Sequence, residues 1–332
     1  MTRFQVVESL LGTEPVVQLD DTVAGRRVRI ARHGAALLNL MVREGDGWFD
    51  YADGYRDAAE IVARKGSRFA VMVPFGGRIR DGRYTFDGRR HDLAPGATGD
   101  ARAVRHGFVR DALFALDDRV EDEHGARVTL VTDAIRPRPG YPFAIDLTVN
   151  FALDARGLAL DVAMRNVGDH AAPCFFGWHP YFRLAETTVD GWELRIPAHD
   201  VIRTSGDLIA LPGAAAHVAV DDAPALDFRD ADAIGSRILD QGYAYLDADG
   251  DGLIRTHLRD PASGRALAVW QERGLLHAFT GDTVSRDPRR AIALEPMEAM
   301  ADAFSRPEWA DAIRLAPGAE RHFRCGVEIV TA

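Results

Sequence analysis

Residues 144–151 read AIDLTVNF, with apolar and polar side chains in alternation. Residues 154–157, DARG, are typical of a turn, and residues 158–164, LALDVAM, return to a strand-like pattern. Successive side chains of a β-strand point to opposite faces, so a period of two predicts a strand with one buried face. Two such segments on either side of a turn predict an antiparallel hairpin.

The same hairpin pattern recurs along the chain. Three further pairs of strand-like segments flank turn residues: 83–86 before the turn Asp87-Gly88, 116–120 with 127–131, and 253–258 with 266–270. Aspartate followed by glycine is a strong signal for a two-residue hairpin turn.

Helical periodicity is scarce, and only residues 56–62 and 298–304 predict short helices. The chain lacks the alternation of strands and helices on which doubly wound nucleotide-binding folds are built. We find no internal repeat and no linker rich in Ser, Gly or Pro. We therefore predict one all-β domain, residues 1–332, folded as a large antiparallel β-sandwich with a few short helices.

Composition excludes several classes of function. The 332 residues are 47% hydrophobic, which is enough for a large core, and the net charge is -10. An acidic chain without a basic stripe is poorly suited to nucleic acid. No run of about 18 apolar residues is present to cross a membrane. Residues 1–15 lack the apolar core of a signal peptide, and Cys174 and Cys325 predict reduced, buried thiols. We expect a cytoplasmic monomer or homodimer.

Five residues that can move protons or bind hydroxyl groups lie in short apolar or glycine-bearing segments. They are Arg78, His106, His179, Asp240 and Glu295. Two imidazoles, one guanidinium and two carboxylates form a plausible set for acid–base chemistry on a small polyhydroxylated molecule.

The segments around these residues resemble the aldose 1-epimerase (galactose mutarotase) family, and they follow one another in family order. The matching segments are Arg78-Ile79 with the hairpin 81–88, His106-Gly107, residues 179–182 (HPYF), Leu239-Asp240, Gln271 followed by Thr280-Gly281, Leu294-Glu295-Pro296, and residues 315–320 (LAPGAE). Each match alone is short, and together they cover the chain from about residue 70 to its end.

The resemblance implies a β-supersandwich fold and interconversion of the α and β anomers of a free monosaccharide, with neither cofactor nor metal. By position, His179 corresponds to the general acid that protonates the ring oxygen. Glu295 corresponds to the general base that takes the proton from the anomeric hydroxyl. The residues implied to hold sugar hydroxyls and developing charge are Arg78, His106, Asp240 and Gln271.

This assignment agrees with elementary chemistry. Opening a hemiacetal removes one proton at O1 and delivers one to the ring oxygen, so an acid and a base are needed in one site. Histidine titrates near neutrality, and its imidazolium can donate a proton. A glutamate with an ordinary pKa is ionised at pH 7 and can accept one.

One position departs from the family pattern. Gly77 stands where members commonly carry an asparagine before the Arg-Ile pair. The missing amide leaves the acid and the base in place, so we expect Gly77 to alter the choice of sugar rather than catalysis.

Alternative functions remain open at the level of sequence. A sugar-phosphate mutarotase needs additional basic residues at the pocket, and the sequence does not locate them. A noncatalytic carbohydrate-binding protein has no need of both His179 and Glu295. A glycosidase using Asp240 and Glu295 as its two carboxylates fits the paired histidines less well. Residues 247–254, DADGDGLI, begin like a calcium loop, but Leu258 stands where the bidentate glutamate is required.

Overall fold

The computed structural model describes residues 2–330. Strands make up 47% of the chain and helices of all kinds 11%, which confirms the prediction of an all-β fold. In chain order the strands are β1 (Phe4–Leu11), β2 (Glu14–Asp21), β3 (Arg26–Ala31), β4 (Ala36–Glu44), β5 (Gly47–Asp50), β6 (Ala70–Met72), β7 (Arg83–Phe86), β8 (Arg89–Asp92), β9 (Ala115–Glu121), β10 (Gly125–Ile135), β11 (Ile145–Asp154), β12 (Gly157–Asn166), β13 (Ala172–Pro173), β14 (Gly177–His179), β15 (Tyr181–Phe182), β16 (Glu193–Arg195), β17 (Ala198–Ile202), β18 (His217–Ala219), β19 (Asp232–Ala233), β20 (Asp240–Leu246), β21 (Ile254–Arg259), β22 (Ala266–Gln271), β23 (Leu275–Phe279), β24 (Ile292–Met297), β25 (Arg314–Leu315) and β26 (Glu320–Val330).

These strands form three large antiparallel sheets and two small ones. A five-stranded sheet has the order β1-β2-β3-β4-β5, and a nine-stranded sheet has the order β19-β16-β21-β22-β26-β12-β11-β10-β9. An eight-stranded sheet has the order β18-β17-β20-β23-β24-β14-β6, with β15 also paired to β24. Strands β7 and β8, and strands β13 and β25, form separate two-stranded ribbons. The eight-stranded sheet carries most of the candidate site.

The predicted hairpins are confirmed. Strands β11 and β12 pair in antiparallel register with Phe151 opposite Leu160, and β9–β10 and β21–β22 form the next two hairpins. Strands β7 and β8 are joined by Asp87 and Gly88, whose φ angles of 50° and 72° give the left-handed turn that two-residue hairpins favour.

Helices are short. One α-helix, α1 (Ala58–Ala63), lies where the sequence predicts it, and the Asp57 carboxylate caps it by accepting the Glu60 N–H. The 3-10 helices are Lys65–Ser67, Arg80–Gly82, Gly99–Arg102, Val189–Gly191, Gly213–Ala216, Val220–Asp222, Pro224–Leu226, Ala303–Ser305 and Pro307–Trp309.

The second predicted helix, residues 298–304, is wrong: a turn leads into the 3-10 helix Ala303–Ser305. Asp302 has a left-handed φ of 62°, which interrupts a right-handed helix. Its N–H donates to the Arg78 carbonyl at 2.8 Å, and its carboxylate accepts the Arg80 N–H at 3.0 Å. Bonds to a distant segment therefore replace the local bonds of a helix.

The main core is a single cluster of buried apolar side chains drawn from all three large sheets, with Val28, Leu160 and Leu294 as fully buried examples. Cys174 and Cys325 are buried in it as free thiols, as predicted. In the described part of the chain, no helix combines the length and the apolar character that crossing a bilayer requires.

Candidate active site

A row of side chains crosses three neighbouring strands of the eight-stranded sheet, β14, β24 and β23. Gly177 lies opposite Met297 and Tyr181 lies opposite Ala293, so His179 stands across from Glu295. On the other side of β24, Glu295 pairs with His277, and His277 pairs with Gly242 of β20. Residues directly opposite in a sheet point to the same face. The register alone therefore places His179, Glu295 and His277 side by side.

The local sequence fixes the first two members of this row. Pro180 has no N–H and separates β14 from β15, although its carbonyl still accepts the Leu294 N–H at 3.2 Å. Strand β24 is buried along its whole length, which forces the Glu295 carboxyl group into the interior. The His179 Nε2 lies 3.3 Å from the Glu295 Oε1, and the two side chains are 8% and 5% exposed. A buried acid–base pair is thus in direct contact.

His277 is a site residue that sequence reasoning missed. Its Nε2 lies 2.8 Å from the Asp240 Oδ1, and the two side chains are 27% and 36% exposed. This second pair therefore lies nearer to solvent than His179 and Glu295. Gly242, opposite His277, carries no side chain that could separate it from Asp240 two residues away. The sequence signal for this residue was its position as a polar side chain within the otherwise apolar run 275–279, LLHAF.

His106 lies against His179 from outside the row, with the ring centroids 5.3 Å apart and the planes nearly perpendicular. Its φ of 59° is left-handed, and its N–H donates to the Gly77 carbonyl at 2.9 Å. The next residue, Gly107, must be a glycine, because a Cβ at this position would lie 2.1 Å from the Val73 carbonyl oxygen. Backbone bonds therefore hold an unfavourable conformation that places this imidazole beside His179.

Aromatic rings line the back of the pair. The Tyr181 ring is stacked on the His179 ring at 5.0 Å, and the Arg68 guanidinium lies over the Tyr181 ring at 4.8 Å. Phe279 is half-buried against Tyr181, with 6.4 Å between centroids. These contacts fix the orientation of the His179 imidazole.

The two remaining predicted residues differ in their surroundings. Arg78 is partly buried, and its positive charge acts on Asp240, His277 and His106, which places it at the site. Gln271 lies on β22 of the nine-stranded sheet, and its Nε2 donates to the Arg273 and Leu275 carbonyls at 2.7 and 2.9 Å. Both N–H donors of Gln271 are thus occupied by the turn that leads into β23.

Burial decides the protonation of the central pair. It raises the pKa of Glu295 to about 8; the charge of His277 lowers this pKa to a smaller extent, and the charge of Asp240 raises it further. It also lowers the pKa of His179 to about 3, assisted by the positive charge of His277. In the free protein at pH 7 the proton therefore lies on Glu295, whereas the sequence alone predicts an ionised glutamate.

The two members of the outer pair stabilise each other's charged forms. Burial lowers the pKa of His277, but the hydrogen bond that its imidazole donates to Asp240 and the charges of Glu295 and Asp240 outweigh burial and raise the pKa above the ordinary value. Burial likewise raises the pKa of Asp240, and its bond to His277 outweighs this and holds the pKa low. The pKa of His106 lies well below its usual range because of burial and the neighbouring positive charges.

Gly77 is conformationally constrained. Its φ is 64°, and a Cβ at this position would lie 2.7 Å from the Ala301 Cβ. An asparagine side chain therefore requires the segment around Ala301 to move. The turn at residues 298–302 thus occupies the space into which the family's asparagine would project. Within residues 2–330, no group of three His, Cys, Asp or Glu side chains is placed to hold a metal ion.

Comparison with known proteins gives consistent matches over nearly the whole chain. A sequence model of the family described as aldose 1-epimerase matches residues 15–328. The uncharacterized protein YihR of Escherichia coli K12 is 28% identical over 236 residues, which are 71% of each chain. The aldose 1-epimerase of the same organism is 25% identical over 318 residues, which are 86% of each chain.

Solved structures confirm the fold. A galactose mutarotase-like protein from Clostridium acetobutylicum superposes with a TM-score of 0.84 over 99% of both chains, at 13% sequence identity. At that identity the likeness concerns the fold, and it confirms the predicted supersandwich.

Proposed function

The chain belongs to the aldose 1-epimerase family, and on this premise we propose that it interconverts the α and β anomers of a free monosaccharide. The observation that carries the proposal is the buried contact of 3.3 Å between His179 and Glu295. Two titratable groups in contact, inside a sheet of apolar neighbours, are costly to bury unless they act together.

The reaction needs one transferable proton in this pair. Ring opening takes a proton from the O1 hydroxyl and gives one to the ring oxygen, and ring closure on the other face reverses both steps. The number of protons on the enzyme is therefore the same before and after one cycle. A pair that holds a single proton satisfies this, whichever member carries it in the free protein.

In this proposal His179 is the general acid at the ring oxygen and Glu295 is the general base at O1. Since the free protein holds the proton on Glu295, sugar binding must be accompanied by its transfer to His179. A sugar hydroxyl bonded to the Glu295 carboxylate would favour the ionised glutamate and so drive this transfer. Microscopic reversibility then allows the same pair to serve both anomers.

The remaining side chains bind and orient the sugar. The ionised Asp240 accepts hydrogen bonds from vicinal hydroxyls, and Arg78 and His277 donate charge-assisted ones. His106, neutral and fixed beside His179, borders the sugar-binding region on the side of the general acid. We assign Gln271 an indirect part, because its amide fixes the turn from which His277 emerges.

Polarimetry on freshly dissolved aldoses, with the spontaneous rate subtracted, tests the proposal. We expect the protein to accelerate the approach to anomeric equilibrium for at least one aldose without added cofactor. Anomer-resolved NMR at equilibrium gives the same exchange rate independently. Sugar binding without acceleration would instead support a noncatalytic carbohydrate-binding protein.

A further inference from the structure

Three arginines lie on or directly opposite the backbone segment that carries His106. Arg78 and Arg105 face each other across an isolated antiparallel β-bridge. The Nη2 of Arg110 donates to the Arg105 carbonyl oxygen at 3.1 Å. We refer to Arg78, Arg105 and Arg110 as the arginine cluster. Because paired residues of a β-bridge point to the same face, two of its three side chains project in the same direction.

The arginine cluster has no carboxylate of its own. Within residues 2–330 none of the three forms an ion pair, and the side-chain bonds of Arg110 go to Ser67 Oγ and a backbone carbonyl. The acidic groups whose charges interact with the cluster are already engaged: Asp240 with His277 at 2.8 Å, Asp111 with Arg64 at 2.7 Å and Asp207 with Arg80 at 3.8 Å. Several other arginines of the described chain also form no ion pair, and the cluster differs from them in its position beside His106 and in the opposition of Arg78 and Arg105 across a β-bridge.

Two other arginines in the same region of the fold are paired with carboxylates. Arg68 and Arg286 are both bonded to the buried Asp53, and Arg286 also binds Glu60. These two arginines therefore have buried counter-charges, whereas Arg78 and Arg110, which lie beside the candidate site, have none in the described chain.

Leaving the cluster unpaired has a cost. Like charges directly opposite each other in a β-pair are destabilising. The Arg110 Nε is buried without a hydrogen-bond acceptor, and a buried donor without a partner destabilises the fold. An anion bound beside these guanidinium groups would offset the repulsion between their charges.

The cluster borders the candidate active site. Arg105 directly precedes His106, whose ring contacts His179. The charge of Arg110 acts on both His106 and His179, and the charge of Arg78 acts on Asp240 and His277. An anion on the cluster would thus lie within reach of a sugar held between the two histidine–carboxylate pairs.

We propose that the sugar processed at His179 and Glu295 carries an anionic substituent, a carboxylate, sulfonate or phosphate, which Arg78, Arg105 and Arg110 bind. The inference rests on the proposed anomer interconversion. Planar guanidinium groups suit the oxygens of all three anions through paired N–H donors. A local positive cluster is also what an acidic protein of net charge -10 needs to attract an anionic substrate.

Matched pairs of sugars test the inference. Anomer exchange of D-glucose is compared with that of D-glucuronate, glucose 6-phosphate and glucose 6-sulfate, and D-galactose with D-galacturonate. We expect kcat/KM for at least one anionic sugar to exceed that of its neutral partner by about 10–100-fold, the range of one or two charged hydrogen bonds. Raising the ionic strength from about 0.05 to 0.5 M should raise KM for the anionic sugar far more than for the neutral one.

The variant Arg105→Gln removes an exposed member of the cluster. It should lower the ratio of anionic to neutral kcat/KM by about tenfold, the effect of one charge-assisted bond. Arg127→Gln, an exposed arginine on β10 of the nine-stranded sheet, is the matched control and should leave the ratio unchanged. Equal kcat/KM for neutral and anionic sugars, with a ratio that Arg105→Gln does not alter, would overturn the inference and leave the proposed function standing.

A binding measurement separates the two proposals if no sugar is turned over. In that case the proposed function fails, and calorimetric titration of D-glucuronate and glucose 6-phosphate onto the wild type and Arg105→Gln decides the anion site. Binding that Arg105→Gln weakens supports an anion site. No binding of either sugar to the wild type overturns it.

Discussion

His277 Nε2 lies 2.8 Å from Asp240 Oδ1, and the same imidazole stands directly across the sheet from Glu295. The pair joins two strands, β20 and β23, and lies beside a glutamate whose pKa burial has raised to about 8. His277 therefore connects the outer pair of the site with its inner pair.

Removing either proton-transfer group should stop catalysis while preserving the fold. His179→Asn and Glu295→Gln keep the approximate shape and remove the titrating group. We expect the turnover number to fall by about 10²–10⁴-fold in each, the usual scale of general acid–base catalysis. Sugar affinity should change less than turnover, because these groups contribute most while protons move. Anomer exchange near the wild-type rate in both folded variants would refute the assignment.

The pH dependence of activity should report the single proton of the pair. With pKa values of about 3 for His179 and about 8 for Glu295, the pair holds one proton between these limits. Above about pH 8 the pair loses this proton and with it the acid, so kcat/KM should fall tenfold per pH unit there. Enzyme-catalysed exchange, corrected for the spontaneous reaction at each pH, measures this. A kcat/KM that stays constant up to pH 10 would contradict the prediction.

Substituting His277 should shift the alkaline limb of the pH profile, which is the fall of kcat/KM above about pH 8. The His277 charge lowers the pKa of Glu295, so His277→Gln should raise this pKa and shift the limb to higher pH. Glutamine can still donate to Asp240, and we expect kcat to fall only about tenfold, as for the loss of one charged hydrogen bond. The comparison variant His199→Gln removes an exposed histidine that is also paired with an aspartate, Asp247. A limb that moves equally in both variants would count against a specific effect of His277.

Glu295 should make stability depend on pH. Its pKa rises from an ordinary 4.5 in the unfolded chain to about 8 in the folded one. The protonated form stabilises the folded state below pH 4.5, and this stability is lost as pH rises towards 8, about 1.4 kcal/mol per pKa unit. Glu295→Gln lacks this loss, so its advantage in unfolding free energy over the wild type should grow by a few kcal/mol between pH 5 and 8. Denaturant unfolding at both pH values measures it, with Glu123→Gln, an exposed site, as control.

Restoring the family's asparagine at Gly77 should destabilise the protein before it can alter specificity. The new Cβ would lie 2.7 Å from the Ala301 Cβ, and such overpacking costs about 1–3 kcal/mol. Gly88→Asn is the matched control, because Gly88 also has a positive φ, 72°, and open space around it. Thermal unfolding compares the two. Equal midpoints would contradict the predicted clash.

The expected change in sugar choice then needs a second substitution. Ala301→Gly removes the obstructing methyl group, so Gly77→Asn combined with Ala301→Gly should regain part of the lost stability. Relative kcat/KM values for several aldoses in this double variant test whether the amide selects among sugars. A neutral hydrogen bond supports a change of about tenfold or less. Rates that fall equally for every sugar would show that the amide does not select.

Features that depend on near neighbours in the chain were predictable from sequence. The hairpin of β11 and β12 follows from alternation within about ten residues and a turn between them. The helix α1 follows from one turn of periodicity and an aspartate cap. The local pattern gave a wrong prediction for residues 298–304, because Asp302 bonds to the backbone of Arg78 and Arg80 instead of continuing a helix.

The site was predictable only in part. The resemblance pointed to His179, Glu295, Asp240, Arg78 and His106, and the structure places these five around one region. Gln271 was selected by spacing along the chain, yet its amide is bonded to its own turn, whereas His277, six residues later, faces Glu295. Gln271 ends β22 of the nine-stranded sheet, whereas His277 lies on β23 of the eight-stranded sheet. Spacing along the chain does not show which sheet a strand joins, and that pairing decides which side chain enters the site.

The sequence by itself determined the β-rich architecture, the order of the strands in the hairpins and the residue types able to carry acid–base chemistry, because these depend on local patterns. Only the tertiary structure decided that the proton lies on Glu295, that His277 joins Asp240 and that Arg78, Arg105 and Arg110 meet without a carboxylate. The register between distant strands and the burial that follows from it set these relationships, since both arise from packing across the whole sheet.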